Sequence, residues 1–350
     1  MWSQNALTKR LNLEWPILQA PMGDKTTPAL AAAVSNAGGL GGLGMSGLHP
    51  DNVRRRIEGF RQLSGGSLNV NYLLWETPDD LSDVGGAMRA TLQTLYDKDG
   101  LGPVPEPTPS RSRMDPDHLE ILLDLKPELA SFHFGLPAPD ALNALKNAGT
   151  MILCSATTVA EAVALERDGA DVVIAQGIEA GGHRGTFTNV DVSMQPGLFS
   201  LLPQIVHAVS IPVVAAGGIV NGQTIAAAMM LGASAVQLGT AFLRCEEANV
   251  AEAHRQALSE ANDSATMVTD VISGKPARFL RNTLIDTLAD DDPLPFPSQL
   301  RLTTPLAEAG DPQYMALYAG QSAKLTVAKP AGELVRHLAA ETDASFRRFA

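Results

Sequence analysis

One histidine stands in a setting suited to proton chemistry. His183 lies in the run Gly177-Ile178-Glu179-Ala180-Gly181-Gly182-His183-Arg184-Gly185. An imidazole titrates near neutrality, so it takes or gives a proton at working pH. A solvent-facing loop histidine is the plainer alternative, weakened by the flanking glycines and by the apolar run DVVIAQ at 171–176 just before them. His133, in SFHFG at 131–135, is a second candidate, for which a satisfied core or supporting histidine fits equally well. Two further turns, Ala216-Gly217-Gly218-Ile219 and Gln237-Leu238-Gly239-Thr240, suit a phosphate. Glycine lets backbone N–H groups approach phosphate oxygens, a following helix adds its dipole, and Thr240 offers a hydroxyl.

Other patterns carry less. The run GLGGLG at 39–44 matches GxGxxG, but its glycines lie inside a strand pattern and no helix opens directly from them. The seven histidines form no HExxH and no i,i+4 pair, so no metal site is expected. There is no GxSxG nucleophile elbow. Arg54, Arg55 and Arg56 cannot share one helix face, and the acidic run at 290–292 sits among prolines; both read as solvated surface.

Composition narrows the partners. A net charge of −12 argues against a nucleic acid, whose phosphates need a basic face. Cys154 and Cys245 belong to no CxxC, which leaves no disulfide scaffold and favours a reducing compartment. The first 19 residues hold no continuous apolar segment, and no run reaches the ~18 apolar residues of a membrane span. A cytoplasmic protein with small-molecule ligands and no membrane partner is expected; oligomeric state is open.

The candidate residues need elements to hold them. Apolar runs at 16–22, 39–45, 68–75, 129–135, 151–156, 171–176, 212–217 and 235–240 read as strands. Helical patterns at 28–37, 49–63, 115–125, 139–148, 158–168, 196–209 and 222–231 alternate with them, and Glu161 follows Thr158 at capping-box spacing. Eight strands in this alternation close into an α/β (β/α)8 TIM barrel; an open doubly wound sheet is the competing architecture. In a barrel the loops after strands seven and eight favour phosphate, and His133 and His183 reach the same mouth. Residues 1–244 are the expected barrel, with a Pro-rich loop at 76–114. Residues 245–325 form a smaller C-terminal lid-like addition on the substrate side, with a helix-like stretch at 251–261, and 326–350 a helix packing back on the barrel.

Six stretches taken together resemble the nitronate monooxygenase family, formerly 2-nitropropane dioxygenases, and its class I members most closely. They are QAPM at 19–22, ALAAAVSNAGGLG at 29–41, AQGIEAGGHRG at 175–185, AAGGI at 215–219, QLGTAFL at 237–243 and YAGQSAK at 318–324. The resemblance runs from about residue 15 to 332. It implies a flavoprotein using FMN without a tightly bound second nucleotide. By matched position it makes His183 the catalytic histidine and places His133 in the substrate pocket. It makes Asn71, Gln176, Gly181, Gly218, Gln237, Leu238, Gly239 and Thr240 contacts of FMN, with Met22 and Gly23 beside its ring. Asn69 is the alternative to Asn71, since a register slip exchanges strand faces.

The implied reaction is oxidation of an alkyl nitronate by O2 to a carbonyl compound and nitrite. His183 is its base toward a neutral nitroalkane or a stabiliser of the nitronate. The sequence also departs from the family, which surrounds an anionic substrate with tyrosines and a lysine. Phe296 stands where a tyrosine is expected, the nearest downstream charge is Arg301, and the Pro-rich stretch at 102–109 supplies no tyrosine. Two rivals stand beside this reading: an NAD(P)H-dependent quinone or enoyl-thioester reductase on the same barrel, and a non-redox barrel binding a phosphorylated metabolite.

Overall fold

A computed structural model describes residues 2–81, 84–112, 114–188 and 190–348. Its strands are Ile17–Gln19, Gly41–Gly44, Leu68–Leu73, Leu129–His133, Met151–Ala156, Val172–Gln176, Val213–Ala216 and Ala235–Leu238. All eight run parallel, each beside its neighbour in the chain. The first pairs with the eighth through Ile17↔Val236 and meets the second at the Leu18↔Leu40 bridge. The sheet therefore closes, and the fold is a (β/α)8 barrel rather than an open doubly wound sheet. The first strand is shorter than its apolar run because Pro16 and Pro21 bring no N–H to a ladder.

Side chains alternate along each strand and sort the interior into layers. Val70, Phe132, Cys154, Val173, Ala215 and Val236 face the helices and form the main core. Leu18, Leu129, Leu153, Ile174 and Val214 face the axis and are sealed from below by Leu7 and Leu11, around the short helix Ala6–Arg10. Nearer the carboxyl ends the axis-facing positions turn polar, with Asn71, Ser131, Ser155, Gln176 and Gln237 all buried. A barrel that buries amides and hydroxyls at one end has to satisfy them there, and that end is the mouth.

Two additions depart from the expected alternation. The stretch 76–114 is not all loop: Trp75–Glu76 pairs with Arg111–Ser112, and Gly86–Asp99 is a helix. Met88, Leu92, Leu95 and Tyr96 give that helix its buried stripe, a spacing that the neighbouring prolines obscure in the sequence. Strands Thr266–Thr269 and Ala277–Leu280 and helices Thr283–Leu288 and Ser298–Glu308 follow the barrel. Met88 and Leu92 share a second apolar cluster with Ile272, Phe279 and Leu302, so the two additions pack as one body.

Strand eight leads only into a short 3-10 turn, Thr240–Phe242. The side where an eighth helix belongs is covered by Ala331–Arg348, which packs on helices Pro28–Asn36 and Gly222–Met230. There the Gly222 N–H donates to Glu341 at 3.0 Å and the Trp2 indole to Asp343 at 2.7 Å. The expected helix at 326–350 runs to a terminus whose residues 349 and 350 lie outside the described residues. Among the described residues no helix is long and apolar enough to cross a membrane.

Candidate active site

The GGHRG segment is not a free loop. Gly182–His183 joins the antiparallel sheet of the C-terminal addition, with His183 opposite Ala277. From the barrel side, the Gln176 amide donates to the His183 carbonyl at 3.0 Å and accepts from the Gly185 N–H at 2.8 Å. Arg184 is fully buried and donates to the carbonyls of Gln176 and Gly177 and to Gln195, each at 2.8 Å. Burial, with Arg278 nearby, pulls its guanidinium down to about 10, against the pull of Glu179 and Glu161. Arg278 in turn donates to the Ile178 carbonyl at 3.0 and 3.1 Å. Two buried cations thus tie the segment to the barrel and to the addition.

Glu161 extends the clamp. Thr158 caps its helix by accepting from the Glu161 N–H at 3.2 Å, but the reciprocal half of the expected capping box is not made. The Glu161 carboxylate instead accepts from the Thr157 N–H and hydroxyl at 2.7 and 2.8 Å, and from the Thr186 and Thr188 hydroxyls at 2.6 and 2.8 Å. Burial pushes its pKa up, and these hydrogen bonds outweigh that and hold it below the ordinary value.

Rings enclose His183: Phe296, Tyr318 and Phe134 lie with centroids 5.0, 5.6 and 6.0 Å away. Phe134 reaches this position from a left-handed backbone, φ +71°, uncommon for a bulky residue and of the kind that clusters at ligand sites. Lys275 sits with Nζ 4.4 Å from the Phe134 centroid. His133 ends strand four, facing the axis, with Nδ1 3.1 Å from the Ser155 hydroxyl. Burial, then the charges of His133 and Lys275, drive the His183 imidazole down to about 3. Burial likewise drives His133 down to about 4, against a main-chain hydrogen bond at Phe132 and with help from Arg184. Burial also lowers Lys275, against the pull of Glu161. Both histidines are neutral at pH 7. The structure brings them together, as the sequence suggested.

A second cluster gathers beside them. Gly217 and Gly218 follow strand seven in left-handed conformations, φ +111° and +71°. The Gly218 carbonyl accepts from the Ser322 hydroxyl at 2.8 Å, and the Thr240 hydroxyl accepts from the Gly320 N–H at 2.9 Å. A Cβ on Gly181 would lie 2.5 Å from the Gly320 nitrogen, so the main chains of two loops touch there. Met22 packs at this rim, with Sδ 3.7 Å from where a Gly239 Cβ would stand, and Gly23 is left-handed at φ +56°. Residues 320–322, read in the sequence only as part of a terminal pattern, thus close the cluster of strand-end turns.

Several expected contacts need restating. Leu238 turns its side chain into the helix-facing core, so only its main chain can serve a ligand, and its carbonyl already accepts from the Ala20 N–H at 2.8 Å. Gln176 spends its amide on the histidine segment. Asn69 and Asn71 are two residues apart and share the axis face, so no one-residue slip exchanges them; Asn71 is the nearer to the mouth. Asn71 donates to the Ser131 carbonyl and hydroxyl at 3.1 and 3.0 Å. The Gln237 Oε1 and Asn69 Oδ1 are buried without a protein partner. A polar rim with an orphaned amide oxygen, next to left-handed glycine turns, fits a cofactor that brings its own donors and a phosphate.

Similarity to known proteins points the same way. The chain matches the family model described as "Nitronate monooxygenase" over residues 4–341. It is 38% identical to a nitronate monooxygenase of Paraburkholderia phytofirmans, covering 99% of this chain and 97% of that one. The chain belongs to the nitronate monooxygenase family. This is a family of flavin-dependent oxidoreductases. A nitroalkane oxidase of Streptomyces ansochromogenes superposes with a TM-score of 0.92 at 40% identity, over 99% of this chain and 100% of that one. FabK of Thermotoga maritima follows at 0.75 and 29%, over 99% and 98%.

Of the residues at which the sequence departs from the family, Phe296 lies in the ring cage. Arg301 is exposed and donates to the Thr108 hydroxyl at 3.3 Å, outside the ring cage. Tyr318 and Lys275 stand beside His183 and Phe134 instead. Sequence reading missed them, along with Phe134 and with Ser273, whose hydroxyl lies 3.0 Å from His183 Nε2. The faint signals were a tyrosine opening YAGQSAK and a lysine in SGKPAR just ahead of strand Ala277–Leu280.

Proposed function

We propose that the protein oxidises alkyl nitronates with O2, using FMN, to a carbonyl compound and nitrite, and that it takes neutral nitroalkanes after deprotonating them. The observation that carries this is a neutral, ring-enclosed imidazole beside an ammonium, at the rim of a glycine-lined cradle. A mononucleotide suits the cradle better than a dinucleotide. The glycines of GLGGLG are engaged in packing, since a Cβ at Gly41 would fall 2.1 Å from the Ala31 carbonyl oxygen. Gly218, Gly239 and Thr240 would hold the phosphate, with Gly181 admitting the loop that closes over it. Asn71, Gln237, Met22 and Gly23 would line the ring, and Gln176 and Leu238 would support through side chain and main chain respectively.

When bound, the flavin supplies the electron-accepting chemistry. The residues of the chain do the rest. Phe134, Phe296 and Tyr318 exclude water and hold the alkyl group. Lys275 favours the anionic nitro group, and His133 borders the same space. His183 accepts the α-proton of a neutral nitroalkane; an anion formed or bound next to it raises its pKa from the low value burial imposes. With a ready-made nitronate no proton moves, and the imidazole and Lys275 only balance charge. In His183→Asn, anaerobic flavin reduction by nitroethane should fall roughly 10²–10⁴-fold, the range for a general base. Reduction by a nitronate should fall far less, with the flavin still bound by absorbance. Unchanged rates with nitroethane would remove the base role.

The likeness to FabK supports a second reading, an NAD(P)H-dependent flavin reductase. Anaerobic titration with propionate 3-nitronate, nitroethane and NADH separates the two. Rapid bleaching by NADH and none by the nitronate would reverse the choice.

A further inference from the structure

We infer that Ser273, on the C-terminal addition, decides which nitrogen of His183 receives the proton. The inference rests on His183 acting as a base, but its central claim, the tautomer, is measurable without any reaction. The Ser273 Oγ lies 3.0 Å from His183 Nε2 and donates to the Lys275 carbonyl at 3.0 Å. A hydroxyl has one proton, and a carbonyl can only accept. With that proton spent on Lys275, the oxygen offers the imidazole a lone pair, so Nε2 carries the ring hydrogen. A neutral imidazole has one N–H, which leaves the basic lone pair on Nδ1.

Three observations hold this assignment. Ser273 is fully buried, so water does not replace either partner. Its turn is pinned: the Ser273 N–H donates to the Asp270 carbonyl at 3.1 Å, and Gly274 is left-handed with a Cβ position only 2.1 Å from the Leu294 carbonyl oxygen. Among the described residues nothing hydrogen-bonds to His183 Nδ1. The opposite tautomer would take the serine proton from the Lys275 carbonyl and set an N–H at Nδ1 without an acceptor. In the reaction the substrate Cα–H bond breaks, its proton goes to Nδ1, and the electron pair moves into the nitro group. The resulting imidazolium keeps its Nε2–H on Ser273. Ser273 acts through His183, its hydroxyl being engaged by the imidazole and the Lys275 carbonyl; it is a positioning residue.

Holoprotein labelled with 15N-histidine gives the test by long-range 1H–15N correlation near pH 7.5. The chain has seven histidines, and His183→Asn assigns the resonance. The wild type is expected to show a protonated Nε2 and a lone-pair Nδ1, and Ser273→Ala a mixture of tautomers. Flavin reduction by nitroethane should slow about 10–100-fold in Ser273→Ala, the usual effect of losing a group that orients an active side chain. KM and reduction by a preformed nitronate should change little, and Ser273→Thr should restore both spectrum and rate. A wild-type spectrum with hydrogen on Nδ1 overturns the inference, and so does a pure Nε2–H tautomer in Ser273→Ala or equal losses with both substrates. If Ser273→Ala does not fold, the wild-type and Ser273→Thr spectra still decide. A wild type that oxidises neither substrate sinks the proposed function but not the tautomer.

Discussion

Lys275 is the residue whose chemistry most shapes what the pocket will accept. It is half-buried, stacked at 4.4 Å over Phe134, and lowered by that burial, so its charge is weakly screened. An ammonium held this way attracts an anion more strongly than one on the surface. Lys275→Met should raise KM for propionate 3-nitronate about 10–100-fold, the worth of a hydrogen bond to a charged group. The kcat should change far less, and KM for neutral nitroethane little. Steady-state oxygen consumption with the two substrates checks this, and equal effects on both would assign Lys275 to packing instead.

Loops at the barrel mouth are held by one another as much as by the strands that lead to them. The segment at 177–185 meets the chain at 319–321, where the Gln321 N–H donates to the Glu179 carbonyl at 3.0 Å. Glu179 itself caps the helix Leu198–Ala208, its carboxylate accepting from the Leu198 N–H at 2.9 Å. Gly181 is where these main chains come closest, and a methyl group there would sit 2.6 Å from the Ala319 carbonyl carbon. Gly181→Ala must push the two apart, at a cost of about 1–3 kcal/mol for an overpacked site. Flavin should dissociate roughly tenfold or more readily in ultrafiltration, while far-UV circular dichroism keeps the barrel signal. Retained flavin affinity would show that residues 319–321 do not help to form the cradle.

The protein as a whole should be sensitive to mild acid. Burial lowers His183 to about 3, and His133 and His254 to about 4; for His254 the Tyr318 carbonyl opposes the shift, and Lys25 and Arg255 add to it. In the unfolded chain all three take protons near pH 6.5. Between these values the unfolded state binds more protons, so stability rises with pH. The contribution is complete above about 6.5 and is lost as the pH falls toward 4 and 3. Urea midpoints at fixed ionic strength should drop from pH 7 to 5, with a slope approaching three protons. His254→Gln, which meets the ring cage only at the Tyr318 carbonyl, should remove about one of them. A flat profile over that window would mean the imidazoles are not held neutral.

Much of this was readable from local patterning. Apolar runs alternating with helical stripes dictate parallel strands covered by helices, and glycines ending those runs mark where a ligand can approach; both are properties of neighbours in the chain. That is why the barrel, the two glycine turns, His133 and His183 could be read from residue types alone. The helix Gly86–Asp99 was hidden only because prolines surround a regular stripe. What folding alone decided is which distant segments meet. His183 became part of a strand through Ala277, 94 residues on, and found Ser273, 90 residues away, while Lys275 and Tyr318 took up places that spacing could not foretell. Those meetings depend on how the second apolar cluster seats the C-terminal addition on the mouth, and on buried cations satisfied by carbonyls from other loops. No short-range pattern encodes such contacts, because their free energy exists only once both partners are desolvated together.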